Sequence, residues 1–206
     1  MTATSTVAGV VLGAGAGSRF GGGKLLAMLD GRPILVHVVE AARAAGLGPI
    51  VVVVPPDGEL RSVDLGDVRR VTNPNPAGGL SSSVRLGLRA LELDDGVDIA
   101  VILPGDQPRV RPDTIRALIA AATADPTVAF IVARHADDAT PNPVLARRST
   151  WRLADELAGD RGFGSLLARN PELVHFVDVP GSNPDVDTPA DLARLAGSIE
   201  GAPDVS

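Results

Sequence analysis

Short apolar runs alternate along the chain with segments in which apolar residues recur at helical spacing. The runs Val7–Leu12, Ile50–Val54 and Asp98–Leu103 are rich in β-branched residues and end at glycine or proline, which predicts buried strands. A weaker strand is predicted at Val68–Thr72, a further strand at Thr127–Ala133 and a short strand at Asn142–Ala146. The segment Leu173–Val179 alternates between apolar and polar residues and predicts a late strand, which could run antiparallel to the others.

Helices are predicted between these strands, several of them at prolines or short polar residues that favour a helix start. The predicted helices extend from Pro33 to about Gly46, over Gly79–Leu93, Pro112–Ala122, Thr150–Leu157 and Phe163–Ala168, and onward from Thr188. Repeated strand–helix–strand units with continuous apolar strands are typical of an α/β fold, in which helices cover both faces of a mostly parallel sheet. We expect a single domain over residues 1–197, followed by a disordered tail at residues 198–206.

A glycine-rich loop follows the first predicted strand and extends from Gly13 to Lys24, with the sequence GAGAGSRFGGGK. Glycines let backbone N–H groups approach an anion closely, so we interpret this loop as a phosphate-binding site. The loop also carries two cations. Arg19 offers phosphate oxygens a planar fork of donors, and Lys24 offers a point charge.

Two common phosphate-binding motifs do not fit this loop. In the dinucleotide-binding fingerprint, the third glycine would fall on Ser18 or Phe20, depending on where the motif is started. In the Walker A motif, a hydroxyl residue follows the lysine, but Leu25 occupies that position. The loop therefore predicts phosphate binding of another kind.

Acidic residues follow two other predicted elements. Asp106 comes just after the strand Asp98–Leu103, at the sheet edge where open α/β folds bind ligands. A carboxylate there suits a hard cation such as Mg²⁺, although Asp106 could instead only begin a turn. Asp185 and Asp187 precede the last helix, and because alternate residues of an extended segment face opposite ways, we expect one of them to point into the site. The alternative is that this segment only caps the helix.

Composition and charge narrow the range of partners. The 206 residues carry a net charge of −6 and only 2% aromatics, which argues against a nucleic-acid partner. The chain has no cysteine, which excludes disulfides and zinc–thiolate sites. No run approaches the roughly 18 apolar residues of a membrane span, and no signal peptide is visible, so we expect no membrane association and a cytoplasmic location.

Five motifs, in order along the chain, resemble those of the molybdenum-cofactor nucleotidyltransferases, the MobA/MocA-like family. They are LGAGAGSRFGGGK at Leu12–Lys24, GGLSSSVRLGL at Gly78–Leu88, LPGDQP at Leu103–Pro108, NPVL with LAGDRG at residues 142–145 and 157–162, and DVDTPADL at Asp185–Leu192. The resemblance covers nearly the whole chain. It implies a GT-A-like, Rossmann-like nucleotidyltransferase fold, a three-layer structure with a mostly parallel seven-stranded sheet and one reversed strand.

The resemblance also implies roles for particular residues. Nucleotide binding would fall to Leu12, Gly13, Ala14, Gly15, Gly17, Ser18, Arg19, Lys24, Gly79, Ser82 and Ser83. Lys24, Arg19 and Asp106 would be catalytic, and Asp106 would hold Mg²⁺ together with Asp185 or Asp187. The pair Ala14-Gly15 is closer to the pattern of CTP-using members than to that of GTP-using ones. The reaction implied is transfer of a nucleotidyl group, CMP, to a phosphorylated acceptor such as the molybdopterin cofactor, with a molybdoenzyme or a cofactor-delivery protein as a partner.

Two departures from the family pattern keep other functions open. Gly13 replaces the usual alanine, and Asn142 stands where cytidylyltransferases commonly have histidine. Nicotine blue oxidoreductase resembles the same family, so one alternative is a reductase that uses NADH or NADPH to reduce a heteroaromatic quinone dye. A second alternative is a non-catalytic nucleotide-binding accessory protein. The same fold can host different chemistries, so the family resemblance does not choose among the three.

Overall fold

A computed structural model of the chain describes residues 6–15, 17–136, 142–157, 159 and 162–197. The strands are β1 (Thr6–Leu12), β2 (Met28–Leu29), β3 (Arg32–Pro33), β4 (Ile50–Val54), β5 (Arg69–Thr72), β6 (Val97–Pro104), β7 (Phe130–His135), β8 (Val144–Arg147) and β9 (Val174–Val179). The α-helices are α1 (Ile34–Ala44), α2 (Leu80–Leu91), α3 (Pro112–Ala124), α4 (Gly162–Arg169) and α5 (Pro189–Gly197). The predicted tail at residues 198–206 and Asp160 of the LAGDRG motif lie outside the described residues.

Seven of the strands form one sheet in the order β5-β4-β1-β6-β8-β7-β9, and β2 pairs with β3 in a separate hairpin. Among the strands that the structure describes in this sheet, only β8 runs antiparallel to its neighbours. The antiparallel orientation considered for the last strand is therefore wrong, because β9 pairs with β7 in parallel. The connection from β7 to β8 is too short for a crossover, which needs a dozen or more residues, whereas α4 lies in the longer connection to β9.

Apolar side chains on the two faces of the sheet form two separate cores. One core packs α1 and α3 against alternate strand residues such as Val11, Val52 and Leu103. The other packs α2 and α4 against the intervening residues, such as Val10 and Val53, with Trp151 buried among them. This alternation produces the three-layer α/β architecture predicted by the continuous apolar strands.

Several local predictions need correction. The segment predicted as helix at Thr150–Leu157 consists of 3₁₀ turns over Arg148–Glu156, and the hairpin of β2 and β3 had no predicted counterpart. The predicted strands at residues 127–133 and 142–146 begin later, at Phe130 and Val144. Across the described residues, no helix is long and apolar enough to cross a membrane.

Candidate active site

The candidate site lies where the order of the strands reverses. The chain passes from β1 outward to β4 and β5, and then returns to the other side of β1 with β6. The carboxyl ends of β1 and β6 are therefore adjacent, with Leu12 opposite Pro104. The glycine-rich loop leaves one strand and Asp106 follows the other. Open α/β sheets bind ligands in the crevice outside such a switch point.

Two glycines allow the strand ends to approach each other at this edge. The Gly13 N–H donates to the Val53 carbonyl oxygen at 2.8 Å, and the Gly105 N–H donates to the Leu12 oxygen at 3.0 Å. A Cβ atom at Gly13 would lie 2.9 Å from the Val53 oxygen, and one at Gly105 would lie 2.6 Å from the Leu12 oxygen. The approach at Gly13 gives a physical reason for a glycine at the position where the family pattern usually has alanine.

Lys24 is the centre of a cluster of charged side chains. Its ammonium group donates to Asp106 Oδ2 at 2.7 Å and to Asp187 Oδ1 at 3.1 Å. Arg19 donates to the other carboxylate oxygen of Asp187 at 2.7 Å. Four of the five residues predicted to supply the cations and carboxylates of the site are thus connected by direct contacts, although they come from three distant parts of the sequence.

The Lys24 ammonium is stably charged in this environment. Burial lowers its pKa, but the negative charge of Asp106 and the hydrogen bonds to Asp106 and Asp187 outweigh that effect, so the net pKa is raised. Only 11% of the Lys24 side chain is exposed, compared with 77% for Arg19. Lys24 is also the only lysine in the sequence.

Asp185 is held differently from the other two carboxylates. Its Oδ1 atom accepts a hydrogen bond from the side-chain amide of Gln107 at 2.8 Å. Desolvation raises the pKa of the Asp185 carboxyl, and the negative charges of Asp106 and Asp187 raise it further, against opposing effects from Gln107 and Lys24. Asp185 and Asp187 therefore differ in their partners, since Asp187 pairs with Lys24 and Arg19 whereas Asp185 accepts from Gln107. Which of the two meets the metal stays a prediction.

These carboxylates suit a divalent cation that is shared with a substrate. Among the described residues, no three His, Asp or Glu side chains are arranged to hold a metal ion by themselves. Mg²⁺, however, is usually bound by one or two carboxylates together with substrate phosphates and water. Three carboxylates against two cationic side chains leave an excess of negative charge, which fits that kind of site.

A pocket of about 320 Å³ lies beside the charged cluster. Its lining includes Ala14, Gly15, Gly17 and Lys24 of the loop, together with Pro55 and residues 57–60. Over its described residues 17–26, the loop forms 3₁₀ turns at Ser18–Phe20 and Lys24–Leu26 and no α-helix. These residues therefore lack the helix N-terminus that holds the pyrophosphate in a dinucleotide-binding fold, as the mismatch with the fingerprint predicts.

Gly79, Ser82 and Ser83, which are also predicted to bind nucleotide, are not among the residues that line this pocket. Gly79 precedes α2 with φ of 80°, and its carbonyl oxygen accepts from the Ser82 hydroxyl at 2.7 Å. The hydroxyls of Ser82 and the buried Ser83 accept from the side-chain amide of Asn73 at 2.8 and 3.0 Å. These contacts hold the start of α2 against the end of β5. Leu12 is buried at the end of β1, without a place in the pocket lining.

Several residues at the site have no predicted role. Gln107 and Asn183 are buried polar residues beside the carboxylates, and residues 57–60 line the pocket. Asp191 Oδ2 accepts from the backbone N–H groups of Asp187 and Thr188 at 3.1 and 2.7 Å. The position of residues 57–60 after β4, which adjoins β1, is a signal that topology alone could have supplied.

The sequence profile of the MobA-like NTP transferase domain matches residues 9–174, and the chain belongs to this family. This membership confirms the predicted family and the predicted class of enzyme, a nucleotidyltransferase. A 2-C-methyl-D-erythritol 4-phosphate cytidylyltransferase from Streptomyces avermitilis is 38% identical over 123 residues, which is 55% of this chain and 48% of that protein. The chain spans about half or less of the length of the relatives it matches.

Solved structures agree with the fold. The crystal structure of Rv0371c from Mycobacterium tuberculosis H37Rv has a TM-score of 0.80 and 29% identity, covering 94% of this chain and 100% of that one. A structure of Rv0371c complexed with manganese has a TM-score of 0.74 and 26% identity, covering 94% and 98%. The predicted α/β fold with a mostly parallel seven-stranded sheet and one reversed strand is confirmed.

Proposed function

We propose that this chain is a divalent-cation-dependent nucleotidyltransferase that moves CMP from CTP to a phosphorylated acceptor and releases pyrophosphate. The proposal rests chiefly on the contact of Lys24 with both Asp106 and Asp187, next to a pocket lined by the glycine-rich loop. Such a site brings cations, carboxylates and backbone amides together on one side of a cavity. It offers a triphosphate cationic side chains and N–H groups for its phosphate oxygens, and carboxylates for its metal ion.

In this mechanism a phosphate oxygen of the acceptor attacks the α-phosphorus of CTP. The bond from that phosphorus to the oxygen of the β-phosphate breaks, and its electron pair leaves with pyrophosphate. Lys24 and Arg19 exchange their carboxylate partners for phosphate oxygens and stabilise the charge on the leaving group. The acceptor phosphate is already ionised near neutral pH, so no side chain has to remove a proton from it.

Asp106 and a second carboxylate, Asp185 or Asp187, would hold Mg²⁺. Bound there, Mg²⁺ supplies charge neutralisation at the α-phosphate and the leaving group. The chain's own contribution is to fix Asp106: the backbone N–H of Val186 donates to the Asp106 carbonyl oxygen at 2.9 Å, which joins the two acidic segments. The manganese complex of Rv0371c supports a divalent cation, and the cytidylyltransferase relatives support CTP and a phosphorylated small-molecule acceptor.

The acceptor we propose is the molybdopterin cofactor, with a molybdoenzyme or a cofactor-delivery protein as the partner that receives the product. The family membership supports this acceptor. A direct comparison of molybdopterin with 2-C-methyl-D-erythritol 4-phosphate, each with CTP and Mg²⁺, would test it through pyrophosphate release. Release with the sugar phosphate alone would overturn the molybdopterin assignment but would leave the reaction type intact.

The reaction type is tested by the full chain with CTP, GTP or ATP, with and without Mg²⁺, against NADH and NADPH with a quinone dye. We expect stabilisation by CTP with Mg²⁺, because a ligand that binds only the folded state raises the melting temperature. We also expect pyrophosphate release with an acceptor. Oxidation of NADH by the dye without Mg²⁺, and no stabilisation by any nucleoside triphosphate, would instead support the reductase. CTP binding without pyrophosphate release from any acceptor would support the accessory protein.

A further inference from the structure

The three carboxylates of the site have unequal partners. Asp106 contacts Lys24, and the two oxygens of Asp187 contact Lys24 and Arg19. Asp185 accepts from the neutral amide of Gln107, and the ion pairs of the described residues give it no cationic partner. Among the described residues, Asp185 therefore differs from the other two carboxylates because its partner is a neutral donor and no ion pair includes it.

A buried chain of two amides fixes the partner of Asp185. The Asn183 side-chain amide donates to Gln107 Oε1 at 2.9 Å, and Gln107 Nε2 donates to Asp185 Oδ1 at 2.8 Å. Gln107 and Asn183 are only 2% and 3% exposed. Because a side-chain amide has an oxygen on one side and an NH₂ group on the other, the donor from Asn183 sets which side of Gln107 faces Asp185. Without it, the Gln107 amide could turn and present an oxygen to a carboxylate.

The same two segments are joined through their backbones. Gln107 directly follows Asp106, and Asp185 directly precedes Val186, whose N–H donates to the Asp106 carbonyl oxygen. The amide chain and this backbone hydrogen bond connect the segment after β6 to the segment before α5 at two points. Such a double connection restricts how far the Asp185 carboxylate can move from Asp106.

From this geometry we propose that Gln107 and Asn183 are positioning residues that hold the Asp185 carboxylate beside Asp106, ready for a divalent cation. The inference rests on the proposed function, because it assumes that the site takes such a cation. It extends that function by assigning a positioning role to Gln107 and Asn183.

The test measures Mn²⁺ binding by the full chain, without nucleotide, from the electron paramagnetic resonance signal of free Mn²⁺. The variants Gln107→Met and Asn183→Leu each remove one link of the chain at nearly constant side-chain size. Loss of a partner that orients a metal ligand typically weakens metal binding about 10- to 100-fold, and we expect a loss in that range for both variants. Thr150→Val, which removes a hydrogen bond of a buried residue far from the site, serves as the matched control and should leave Mn²⁺ affinity unchanged.

A double-mutant cycle separates positioning from a general structural effect. In the Asp185→Asn background, Gln107→Met and Asn183→Leu should change Mn²⁺ affinity less than about twofold, because the carboxylate they position is gone. An equal loss in both backgrounds, or no loss in either, would overturn the inference while Mn²⁺ still binds the wild type. Absence of Mn²⁺ binding by the wild type, with or without CTP, would instead remove the metal from the proposed function. Thermal melting of each variant shows which proteins are folded, and either folded variant is sufficient for the cycle.

Discussion

Replacing Lys24 with methionine should have opposite effects on the two ligands of the proposed site. The Lys24 ammonium lies 2.7 Å from Asp106 Oδ2 and 3.1 Å from Asp187 Oδ1, in the region where a divalent cation would meet these carboxylates. A cation that binds without nucleotide must compete with this ammonium. A triphosphate, by contrast, offers the ammonium a new anionic partner. Lys24→Met is therefore expected to strengthen Mn²⁺ binding in the absence of nucleotide and to weaken CTP binding.

The size of both effects follows from burial. Exposed ion pairs contribute about 0.2–1 kcal/mol, and removing one partner of a fully buried pair costs about 3–5 kcal/mol. The Lys24, Asp106 and Asp187 side chains are 11%, 27% and 37% exposed, so the cluster lies between these limits. Removing the competition of the Lys24 ammonium for these carboxylates should favour Mn²⁺ binding by about 1–3 kcal/mol, which corresponds to binding about 5- to 150-fold more tightly. Loss of a charge-assisted hydrogen bond worth about 1.5–3 kcal/mol corresponds to CTP binding about 10- to 150-fold more weakly.

Isothermal titration calorimetry at constant ionic strength would measure both affinities. Arg89→Met is the matched control, because Arg89 also pairs with an aspartate, Asp155, but on an exposed surface away from the site. Lys24→Arg separates charge from shape: an ammonium is a compact point charge, whereas a guanidinium is a wide fork, and we expect the variant to recover only part of the CTP affinity. Unchanged CTP affinity in Lys24→Met, or weaker Mn²⁺ binding, would refute the reasoning.

Three further predictions concern catalysis, packing and pH. Asp106→Ala should lower turnover about 10²- to 10⁴-fold with the fold retained, and wild-type pyrophosphate release by that variant would contradict its role. Gly87→Ala should cost about 1–3 kcal/mol in urea unfolding, because its Cβ would lie 2.3 Å from Val10 Cγ1; Gly164→Ala, in open space, should not destabilise. The Thr188 hydroxyl and nearby backbone N–H groups lower the pKa of Asp191, so its stabilisation is present above its unfolded pKa of about 3.9 and is lost as the pH falls through the folded value. Asp191→Asn should therefore reduce the acid dependence of the melting temperature below about pH 4, and an unchanged dependence would count against this assignment.

The fold was largely predictable because burial on both faces of a parallel sheet leaves a plain pattern. Ile50–Val54 is a continuous run of apolar residues, all of them buried, and the strand that it forms has the predicted bounds. The direction of the last strand was not predictable from alternation alone, since β9 lies at the edge of the sheet and is partly exposed although it runs parallel to β7. Direction depends on the connection, and the short connection between β7 and β8 is what reverses β8.

The site was predictable in its charged residues but not in their partners. A carboxylate after a buried strand and cations in a glycine-rich loop identify Asp106, Arg19 and Lys24 as candidates. Hydrogen bonds between neutral amides carry no such signal, because Gln107 and Asn183 lie 76 positions apart and resemble any polar loop residue until the fold buries them. Asn73 likewise gives no signal in the sequence, although its side-chain amide donates to Ser82 and Ser83 and so holds the start of α2 in place.

The segment Asp185–Asp191 both caps α5 and contributes the Asp187 carboxylate to the charged cluster. Thr188 Oγ1 accepts from the Asp191 N–H at 3.2 Å while Asp191 accepts from the Thr188 N–H, which is the reciprocal pattern of a capping box. Asp191 also accepts from the Asp187 N–H, and the Asp187 carboxylate binds Lys24 and Arg19. The contacts that start α5 therefore also fix the backbone of a residue in the charged cluster. A substitution that weakens the cap should accordingly weaken ligand binding as well as lower stability, because the same hydrogen bonds start α5 and position Asp187.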